Sequence, residues 1–465
     1  MLSPDLAKKI LCEALYTGGD FAELFCEDTS GTTLSLSNDG VEDASYTRCR
    51  GVGVRVLCGA RCSYAYTADI GEEALLATAR AAAAAFPGEK DTTVPLPPFR
   101  PVCYETAGDG FSGVNNAMRV SLLRRLYQAA RGESEEITQV QCRYMDSEQR
   151  VLVINSEGLW ASTRRPYTRL AVTAVASDGT ESQTGRCAPG FGQDFSVYDT
   201  LDVEALGRQA ARQAVTMLHA MECPAGTFPV VMDGGFGGVI FHEACGHSLE
   251  ATGVARGNSE FANRLGTRIA APCVTAVDDG TLAGEWGSLN GVDDEGTPAH
   301  RTVLIENGIL KSYLYDRANA CRVPHPLTGS SRRESYAYAP TSRMTNTFLA
   351  PGRDDPEEMI ATMSEGLYAK TLGGGSVNPL TGEFNFAVDE GYWVKDGKIL
   401  CPVRGATLVG KGSDVLMKID RVGPRMWMAQ GMCGSVSGSI PVNVGQPRIR
   451  ISAMTVGGKG GKIEG

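Results

Sequence analysis

Two of the five histidines in this 465-residue chain lie in one short run, residues 242–247, which read HEACGH. Zinc peptidases place two histidine ligands and a glutamate general base on one element in a similar way. His242 and His247 are therefore candidate metal ligands, and Glu243 is the candidate base. The pattern favours a metal-dependent hydrolase. The alternative is an ordinary amphipathic helix whose histidines have structural roles.

The spacing of the two histidines sets a condition on the helix that carries them. Residues five apart lie about 140° apart around a regular α-helix, which is too far for one metal ion. His242 and His247 can share a metal only if the helix is widened locally, as in a π-bulge, or broken at that turn. Gly246 directly precedes the second histidine, and glycine has the backbone freedom that such a distortion needs.

A catalytic zinc usually has three protein ligands and one open position. The residue types leave several candidates for the third ligand: Cys245, Glu250, Cys273, Asp278, Asp279, Asp293, Asp294 and Cys433. Helix geometry would point Cys245 away from the histidines. Cys433 is the most suggestive, because glycines flank it in a predicted loop and a thiolate is a strong zinc ligand. The residues alone leave these alternatives open.

The composition is that of a globular protein with two or three domains, since 42% of the residues are hydrophobic and 21% are charged. The net charge of −10 argues against a nucleic-acid partner. No apolar run approaches the roughly 20 residues of a membrane span, so no membrane partner is expected. Fourteen cysteines without a secretory signal predict reduced thiols and a cytoplasmic location.

The hydrophobic periodicity predicts an α+β fold. We expect an N-terminal helix–antiparallel meander–helix unit (1–93), a proline-rich linker (94–113) and a second α+β unit (114–222). A mainly antiparallel β domain (223–465) then carries the metal helix. The two N-terminal units share the order of their elements and a Tyr-Thr-Arg triplet, at 46–48 and 167–169, so they are possibly duplicated. Asn-Gly at 307–308 and Asp-Gly at 396–397 predict tight hairpins.

Residues 242–250, HEACGHSLE, resemble the H-E-A-x-G-H-x-L-E signature of the TldD/PmbA family of peptidases. Further segments are similar to the same family: residues 277–281, 293–296, 304–308, 332–337, 343–347, 373–375 and 444–447. The similarity is dense from about residue 228 to 458 and looser in the first half. The chain resembles the catalytic, TldD-like branch, because the inactive PmbA branch lacks the histidines, the glutamate and the cysteine.

The resemblance implies one Zn²⁺ per chain, held by His242, His247 and Cys433, with Glu243 as the base. It also implies a zinc-dependent peptidase that hydrolyses unfolded or loosely structured peptides. The chain departs from the family at Ser435, where a lysine commonly follows the Cys-Gly pair. The residues that we expect to line the substrate groove are Gly373, Gly374, Gly375, Arg343, Asn346 and Thr347.

The resemblance further implies a two-chain particle, either a homodimer or a heterodimer with a PmbA/TldE-like subunit. A non-catalytic regulatory or binding subunit of such a complex is the alternative function. The presence of Glu243 argues against it, because a pure binding protein needs no general base. A zinc hydrolase of small amides would use the same residues and differ only in the shape of its pocket.

Overall fold

The computed structural model describes residues 2–38, 40–86, 88, 95–104, 110–378 and 381–463. The predicted domain ranges also include residues that the structure does not describe, namely 1, 39, 87, 89–94, 105–109, 379–380 and 464–465. The described residues form a helix-covered sheet in the N-terminal half and a larger, β-rich domain in the C-terminal half. The predicted α+β class with a C-terminal β domain is thereby confirmed.

The N-terminal half contains one sheet with helices on one face. Its helices are α1 (Pro4–Leu15), α2 (Glu72–Ala83), α3 (Asn116–Arg131) and α4 (Val203–Leu218). Its strands are β1 (Phe21–Ser37), β2 (Gly40–Cys58), β3 (Arg61–Thr67), β4 (Arg100–Tyr104), β5 (Ile137–Asn155), β6 (Leu159–Ser177), β7 (Ser182–Cys187) and β8 (Gly190–Phe191). A short 3₁₀-helix (Phe195–Asp199) precedes α4.

The two helix–meander–helix units have the same order of elements and share this sheet. Their first strands, β1 and β5, pair antiparallel along most of their length, so the strand order is β3-β2-β1-β5-β6, with β4, β7 and β8 beside β6. Helices α1 and α2 pack on the first unit, and α3 and α4 pack on the second. The arrangement places the units side by side about the β1–β5 pair.

Part of the predicted linker is itself a strand. Strand β4 pairs parallel with the start of β6, with Arg100 opposite Leu159. The proline-rich stretch is extended, as its composition indicates, but it adds to the sheet instead of only bridging two units. The domain boundaries stay a prediction.

The C-terminal half is built around a second sheet. Its strands are β9 (Met221–Glu222), β10 (Gly226–Met232), β11 (Ala276–Asp279), β12 (Arg301–Glu306), β13 (Ile309–Leu310), β14 (Ser331–Arg332), β15 (Thr341–Ser342), β16 (Asn346–Leu349), β17 (Glu365–Val377), β18 (Glu383–Lys395), β19 (Lys398–Arg404), β20 (Thr407–Lys411), β21 (Ile419–Ser435) and β22 (Gly438–Gly457). Its helices are α5 (Val239–Phe241), α6 (Ala251–Val254), α7 (Arg317–Arg322), α8 (Pro356–Ala361) and α9 (Gly412–Lys418).

Strand β22 lies at the centre of this domain and pairs with β10, β16, β20 and β21. Most pairings in this domain are antiparallel, as expected. Strand β22 pairs antiparallel with β21 and parallel with β16. Both predicted hairpins form, with positive φ angles at Asn307-Gly308 and Asp396-Gly397. Strand β9 joins this sheet, although the predicted boundary at 222 placed it in the second unit.

The C-terminal domain covers part of the sheet face that the N-terminal helices leave open. Arg55 on β2 contacts Glu23 on β1 at 2.7 Å and Glu295 of the C-terminal domain at 2.5 Å. Arg333 reaches Glu23 from the C-terminal side at 2.5 Å. Buried ion pairs of this kind fix the two halves relative to each other. None of the helices in the described residues is long and apolar enough to cross a membrane.

Candidate metal centre

The run that carries the two histidines forms a widened helical turn. Residues His242–Gly246 are π-helical, between α5 and a 3₁₀ turn at His247–Leu249. The backbone N–H of His247 donates to the carbonyl oxygen of His242, five residues earlier. A π-helical turn places residues five apart on one face. The structure thus meets the condition that the histidine spacing imposed.

Gly246 contributes to this turn for a different reason from the one expected. Its φ of −56° and ψ of −49° are ordinary helical values that any residue adopts. However, a Cβ added at Gly246 would lie 2.3 Å from the Sδ atom of Met344. The expectation of backbone freedom was wrong: the position excludes a side chain because the turn packs closely against the segment before β16. The glycines before the helix act similarly, since a Cβ at Gly238 would lie 2.6 Å from the backbone of Gly445.

Cys433 reaches the same site from β21, near the tip of the β21–β22 hairpin. Its backbone pairs with Ile440, and the ladder continues to Ser435 opposite Gly438. The flanking glycines predict a loop at Cys433, whereas the structure shows a strand. Alternation along the strand buries the Cys433 side chain while its neighbours Met432 and Gly434 are exposed.

The three side chains converge. The Sγ atom of Cys433 lies 3.4 Å from Nε2 of His242 and 3.3 Å from Nε2 of His247. One ligand atom from each residue lies within 4.8 Å of those of the other two. In the part of the chain that the structure describes, this is the group of three potential ligands that could hold a metal ion.

The surroundings favour a thiolate at Cys433. Burial alone would raise the pKa of the thiol, but the adjacent His242 and His247 lower it to about 4. For His247, burial lowers the pKa, but Glu250 and Cys433 together hold it well above its ordinary value. The raised pKa means that His247 favours the imidazolium form beside the thiolate, so a divalent metal, which requires neutral imidazoles, would displace that proton on binding.

Two glutamates contact His247 from different sides. The Oε2 atom of Glu243 lies 3.7 Å from Nε2 of His247, on the side of the Cys433 thiol. The Oε2 atom of Glu250 lies 3.2 Å from Nδ1 of the same ring. A carboxylate on the second ring nitrogen is the usual way to orient a ligating histidine and fix its tautomer. Glu250, one of the candidate ligands, is thus placed behind His247 and not beside Cys433.

The other candidates for a third ligand are occupied elsewhere. Cys245 is buried in the C-terminal core. The thiol of Cys273 donates to the carbonyl oxygen of Ile419. Three aspartates accept hydrogen bonds or form ion pairs remote from the histidines: Asp278 with Thr345 and Thr347, Asp293 with the backbone of Glu295, and Asp294 with Arg165. Asp279 caps the backbone and hydroxyl of Thr281.

Three of the expected groove residues do not face a groove. Arg343, Asn346 and Thr347 are fully buried. The Asn346 amide donates to the carbonyl oxygen of Asp279, and the Thr347 hydroxyl donates to Asp278. Their polar groups are used within the protein, so the expectation that these three side chains contact substrate was wrong.

Arg343 instead supports the strand that carries Cys433. Its guanidinium donates to the carbonyl oxygen of Cys433 at 2.5 Å, to the Ser437 hydroxyl at 2.8 Å and to the Gly438 carbonyl oxygen at 3.0 Å. This supporting role was missed from the sequence. The available signal was a single charge in a stretch of otherwise uncharged residues, 341–349, which is typical of a buried arginine that is hydrogen-bonded within the protein.

The glycine triplet lies on β17, which with β18 packs against the π-helical turn. The β17–β18 register shifts between Leu372 and Gly375, so Gly373 and Gly374 form a bulge. Gly373 is buried against Asp389, whereas Gly374 and Gly375 are exposed. Of the expected groove residues, Gly374 and Gly375 are therefore the two that present an accessible backbone.

Comparisons with known proteins cover most of the chain. Sequence models described as PmbA/TldA metallopeptidase domain 1, central domain and C-terminal domain match residues 22–86, 110–218 and 225–458. A Haemophilus influenzae protein named metalloprotease TldD homolog is 35% identical over 450 residues, 94% of this chain and 93% of that protein. A Methanothermobacter thermautotrophicus protein named metalloprotease is 33% identical over 434 residues, 92% of this chain and 94% of that protein.

Solved structures share the fold. TldE from Thermococcus kodakarensis superposes with a TM-score of 0.76 at 17% identity, covering 97% of this chain and 99% of that one. A Thermotoga maritima protein described as a candidate modulator of a DNA gyrase superposes with a TM-score of 0.79 at 20% identity, over 97% and 99% of the two chains. The chain therefore belongs to the PmbA/TldD family of metallopeptidases, as a member of its TldD-like branch.

Proposed function

We propose that this protein is a zinc-dependent peptidase in which His242, His247 and Cys433 hold one Zn²⁺ and Glu243 is the general base. The observation that carries the proposal is the convergence of two imidazole nitrogens and one thiol, with a carboxylate 3.7 Å from Nε2 of His247. A regulatory subunit without catalysis has no need for that carboxylate.

The donor set fits zinc. Tetrahedral Zn²⁺ binds sulfur at about 2.3 Å and nitrogen at about 2.0–2.1 Å, which separates the two ligand atoms by about 3.6 Å. The distances from Cys433 Sγ to the two imidazole nitrogens, 3.4 and 3.3 Å, are close to that value. Borderline-soft zinc also accepts mixed nitrogen and sulfur ligands, whereas calcium and magnesium require oxygen ligands.

Zinc, when bound, supplies Lewis acidity that polarises a carbonyl group and lowers the pKa of a coordinated water to about 7. The protein side chains supply the rest. Glu243 accepts the proton of the attacking water and delivers it to the leaving amine nitrogen. Glu250 holds the His247 ring in one tautomer, and Arg343 holds the backbone of Cys433 in place.

Unfolded or loosely structured peptides are the proposed substrates. Among the described residues, β21 pairs with no strand other than β22, so its other edge is open to strand addition, although the carbonyl oxygens of Gly431 and Cys433 already accept hydrogen bonds from Trp286 and Arg343. An extended peptide can add to such an edge through main-chain hydrogen bonds. The exposed backbone at Gly374 and Gly375 is the proposed second contact for the peptide. Recognition would then depend on main chain more than on sequence.

We propose that the protein acts as a two-chain particle, as a homodimer or with a PmbA/TldE-like subunit. The support is the shared fold with TldE, whose name marks the partner branch of the family. Light scattering of the purified chain, alone and mixed with such a partner, separates the two cases. A monomer under both conditions would contradict the proposal.

The test of the catalytic proposal measures metal content and peptide cleavage on the same protein samples. We expect one zinc per chain in the wild type and in Glu243→Gln, with turnover reduced at least a hundredfold in that variant. Cys433→Ala should lose both zinc and activity. Cys245→Ala is the matched control, because the same Cys→Ala substitution, made within the histidine turn, removes a thiol that packs into the core.

Substantial activity in Glu243→Gln would show that the assigned base is wrong. Zinc in the wild type without cleavage, alone and with a PmbA/TldE-like partner, would favour the regulatory alternative. If the wild-type protein binds no zinc, the metal site is rejected and residues 242–247 have a structural role only.

A further inference from the structure

Three arginines lie together on the face of the N-terminal sheet that its helices leave open. Arg143 is on β5, Arg169 on β6 and Arg186 on β7. Arg143 is opposite Ala171, and Arg186 is opposite Thr173. Residues directly opposite in a ladder share a face, as do residues two or four apart in one strand. All three arginines therefore point to the same side, away from α3 and α4.

These arginines form no close ion pairs among the described residues. None of them forms an ion pair within 4.0 Å with a described carboxylate, in a chain whose net charge is −10. The Nε atom of Arg169 is buried and has no hydrogen-bond partner in the described residues. Burial, and then the positive charges of Arg186 and Arg143, lower the pKa of Arg169. Unpaired like charges held close together repel one another, which favours binding of an anion between them.

A chain of contacts places this cluster beside the strand that carries Cys433. Tyr167, two residues before Arg169 on the same face, stacks edge-on against Trp286 at 5.3 Å between ring centroids. The indole Nε1 of Trp286 donates to the carbonyl oxygen of Gly431 at 3.0 Å. Gly431 is two residues from Cys433. The arginine cluster thus flanks the proposed peptide-binding edge of β21.

A second contact confirms that position from the neighbouring strand. Arg169 is opposite Gly190 on β8. A Cβ added at Gly190 would lie 3.1 Å from the side chain of Gln430 on β21. Strand β8 therefore lies between Arg169 and the proposed peptide-binding edge of β21.

One acidic side chain, that of Asp389, interacts electrostatically with the cluster. Desolvation raises the pKa of Asp389 on β18, and the charge of Arg186 opposes that rise. Asp389 lies against Gly373 of the glycine bulge, across from the arginines. One carboxylate facing three guanidinium groups leaves a net charge of +2 at this place.

We infer that Arg143, Arg169 and Arg186 form a subsite that binds a carboxylate group of the peptide substrate. Guanidinium groups bind carboxylates through paired, charge-assisted hydrogen bonds, and they do so without a sequence-specific pocket. The inference rests on the proposed function, to which it adds a preference for acidic peptides. The carboxylate has two possible sources, an Asp or Glu side chain or the C-terminus of the peptide.

The test uses one fluorescent peptide in four forms: with Glu or with Gln at the variable positions, each with a free or an amidated C-terminus. Binding to the Glu243→Gln protein is measured by anisotropy, which requires no turnover, and cleavage is measured on the otherwise wild-type protein. We expect the Glu peptide to bind about tenfold tighter than the Gln peptide, and a loss of that preference when Arg169→Gln is added. A preference for the free over the amidated C-terminus would identify the terminal carboxylate as the source.

Arg124→Gln is the matched control, because Arg124 is an exposed arginine on α3, on the opposite side of the same sheet. It changes the net charge equally and should leave the preference intact, while Arg169→Lys should retain part of it. Equal binding of all four peptides, or an equal loss in Arg124→Gln, would overturn the subsite. A binding preference without any cleavage by the wild type would retain the subsite and reject the proposed peptidase.

Discussion

Arginines in two regions of one face of the N-terminal sheet differ in whether carboxylates pair with them. Under the C-terminal domain, Arg55 lies fully buried between Glu23 and Glu295. Beyond the edge of that cover, Arg143 and Arg186 are exposed on the same face and pair with none of the described carboxylates. The sheet supplies the same kind of position in both regions. What differs is whether a second domain packs over it and brings carboxylates.

The difference separates two uses of a positive charge. A buried guanidinium is retained only if carboxylates satisfy it, so Arg55 joins the two halves of the molecule. An unpaired cluster contributes nothing to that joint and keeps its charges free for a ligand. The comparison predicts a graded series of effects on stability, from the buried pair to the unpaired cluster.

The largest effect is expected for Arg55→Met. The substitution leaves Glu23 and Glu295 buried without their shared cation, which should lower the free energy of unfolding by about 3–5 kcal/mol. Urea unfolding at pH 7 measures this. Arg143→Met, the same change at an unpaired position on the same face, should cost less than about 0.5 kcal/mol. Equal losses in the two variants would abolish the distinction between the regions.

Asp278 tests how a buried charge behaves when dipoles, and not an arginine, contact it. Burial raises the pKa of Asp278 to about 6, although donors at Thr345 and Thr347 act against the rise. The folded state therefore holds this proton more tightly than the unfolded state. The stabilisation is complete below the ordinary pKa of about 3.9 and is lost as the pH rises through 6.

Between pH 4 and 7 this carboxyl alone should lower the free energy of unfolding by about 2 kcal/mol. The measurement is the difference in pH dependence between the wild type and Asp278→Asn. The variant loses hydrogen bonds and is less stable overall, but it should lack this part of the pH slope. Parallel pH profiles for the two proteins would contradict the assignment.

A half-exposed ion pair at the same domain interface should give a smaller effect. Arg317 contacts Glu157 at 2.9 Å, and the glutamate side chain is 57% exposed. Water screens such a pair, so Glu157→Gln should cost only about 0.5 kcal/mol and less at high salt. The free energy of unfolding is measured at low and high ionic strength. A loss near that of Arg55→Met would show that solvent exposure does not determine how much an ion pair contributes to stability.

The smallest effect is expected for Arg169→Gln. Removing one of three like charges relieves repulsion, so the free energy of unfolding should stay within about 0.5 kcal/mol of the wild type or rise slightly. Thermal unfolding measures it. A loss above about 1 kcal/mol would mean that Arg169 has a structural partner and that its cluster is not free for a ligand.

Much of the candidate site could be predicted from local spacing. The spacing of five from His242 to His247 excludes a shared metal on a regular helix, so it requires a widened or broken turn, and the structure shows the widened one. The two Asn-Gly and Asp-Gly hairpins follow from the positive φ angles that these pairs tolerate. Local residue types could not choose Cys433 among eight candidates, because the choice depends on a contact 186 residues away in sequence.

The substrate residues show where such reasoning ends. Thr347 is a polar residue in β16 and Arg343 lies just before that strand, and the sequence does not reveal whether the segment is covered on both faces. Burial decides it: once the domain closes over β16, Arg343 becomes a support for Cys433 and Thr347 a donor to Asp278.

The sequence by itself determined the elements and the condition for a distorted metal turn, because residue spacing and turn pairs act within a few residues. Only the tertiary structure decided which thiol meets the histidines, which arginines are neutralised and which stay free. The physical reason is that ligand geometry and charge pairing depend on distances between segments far apart in the chain. Those distances exist only after the sheets have packed together.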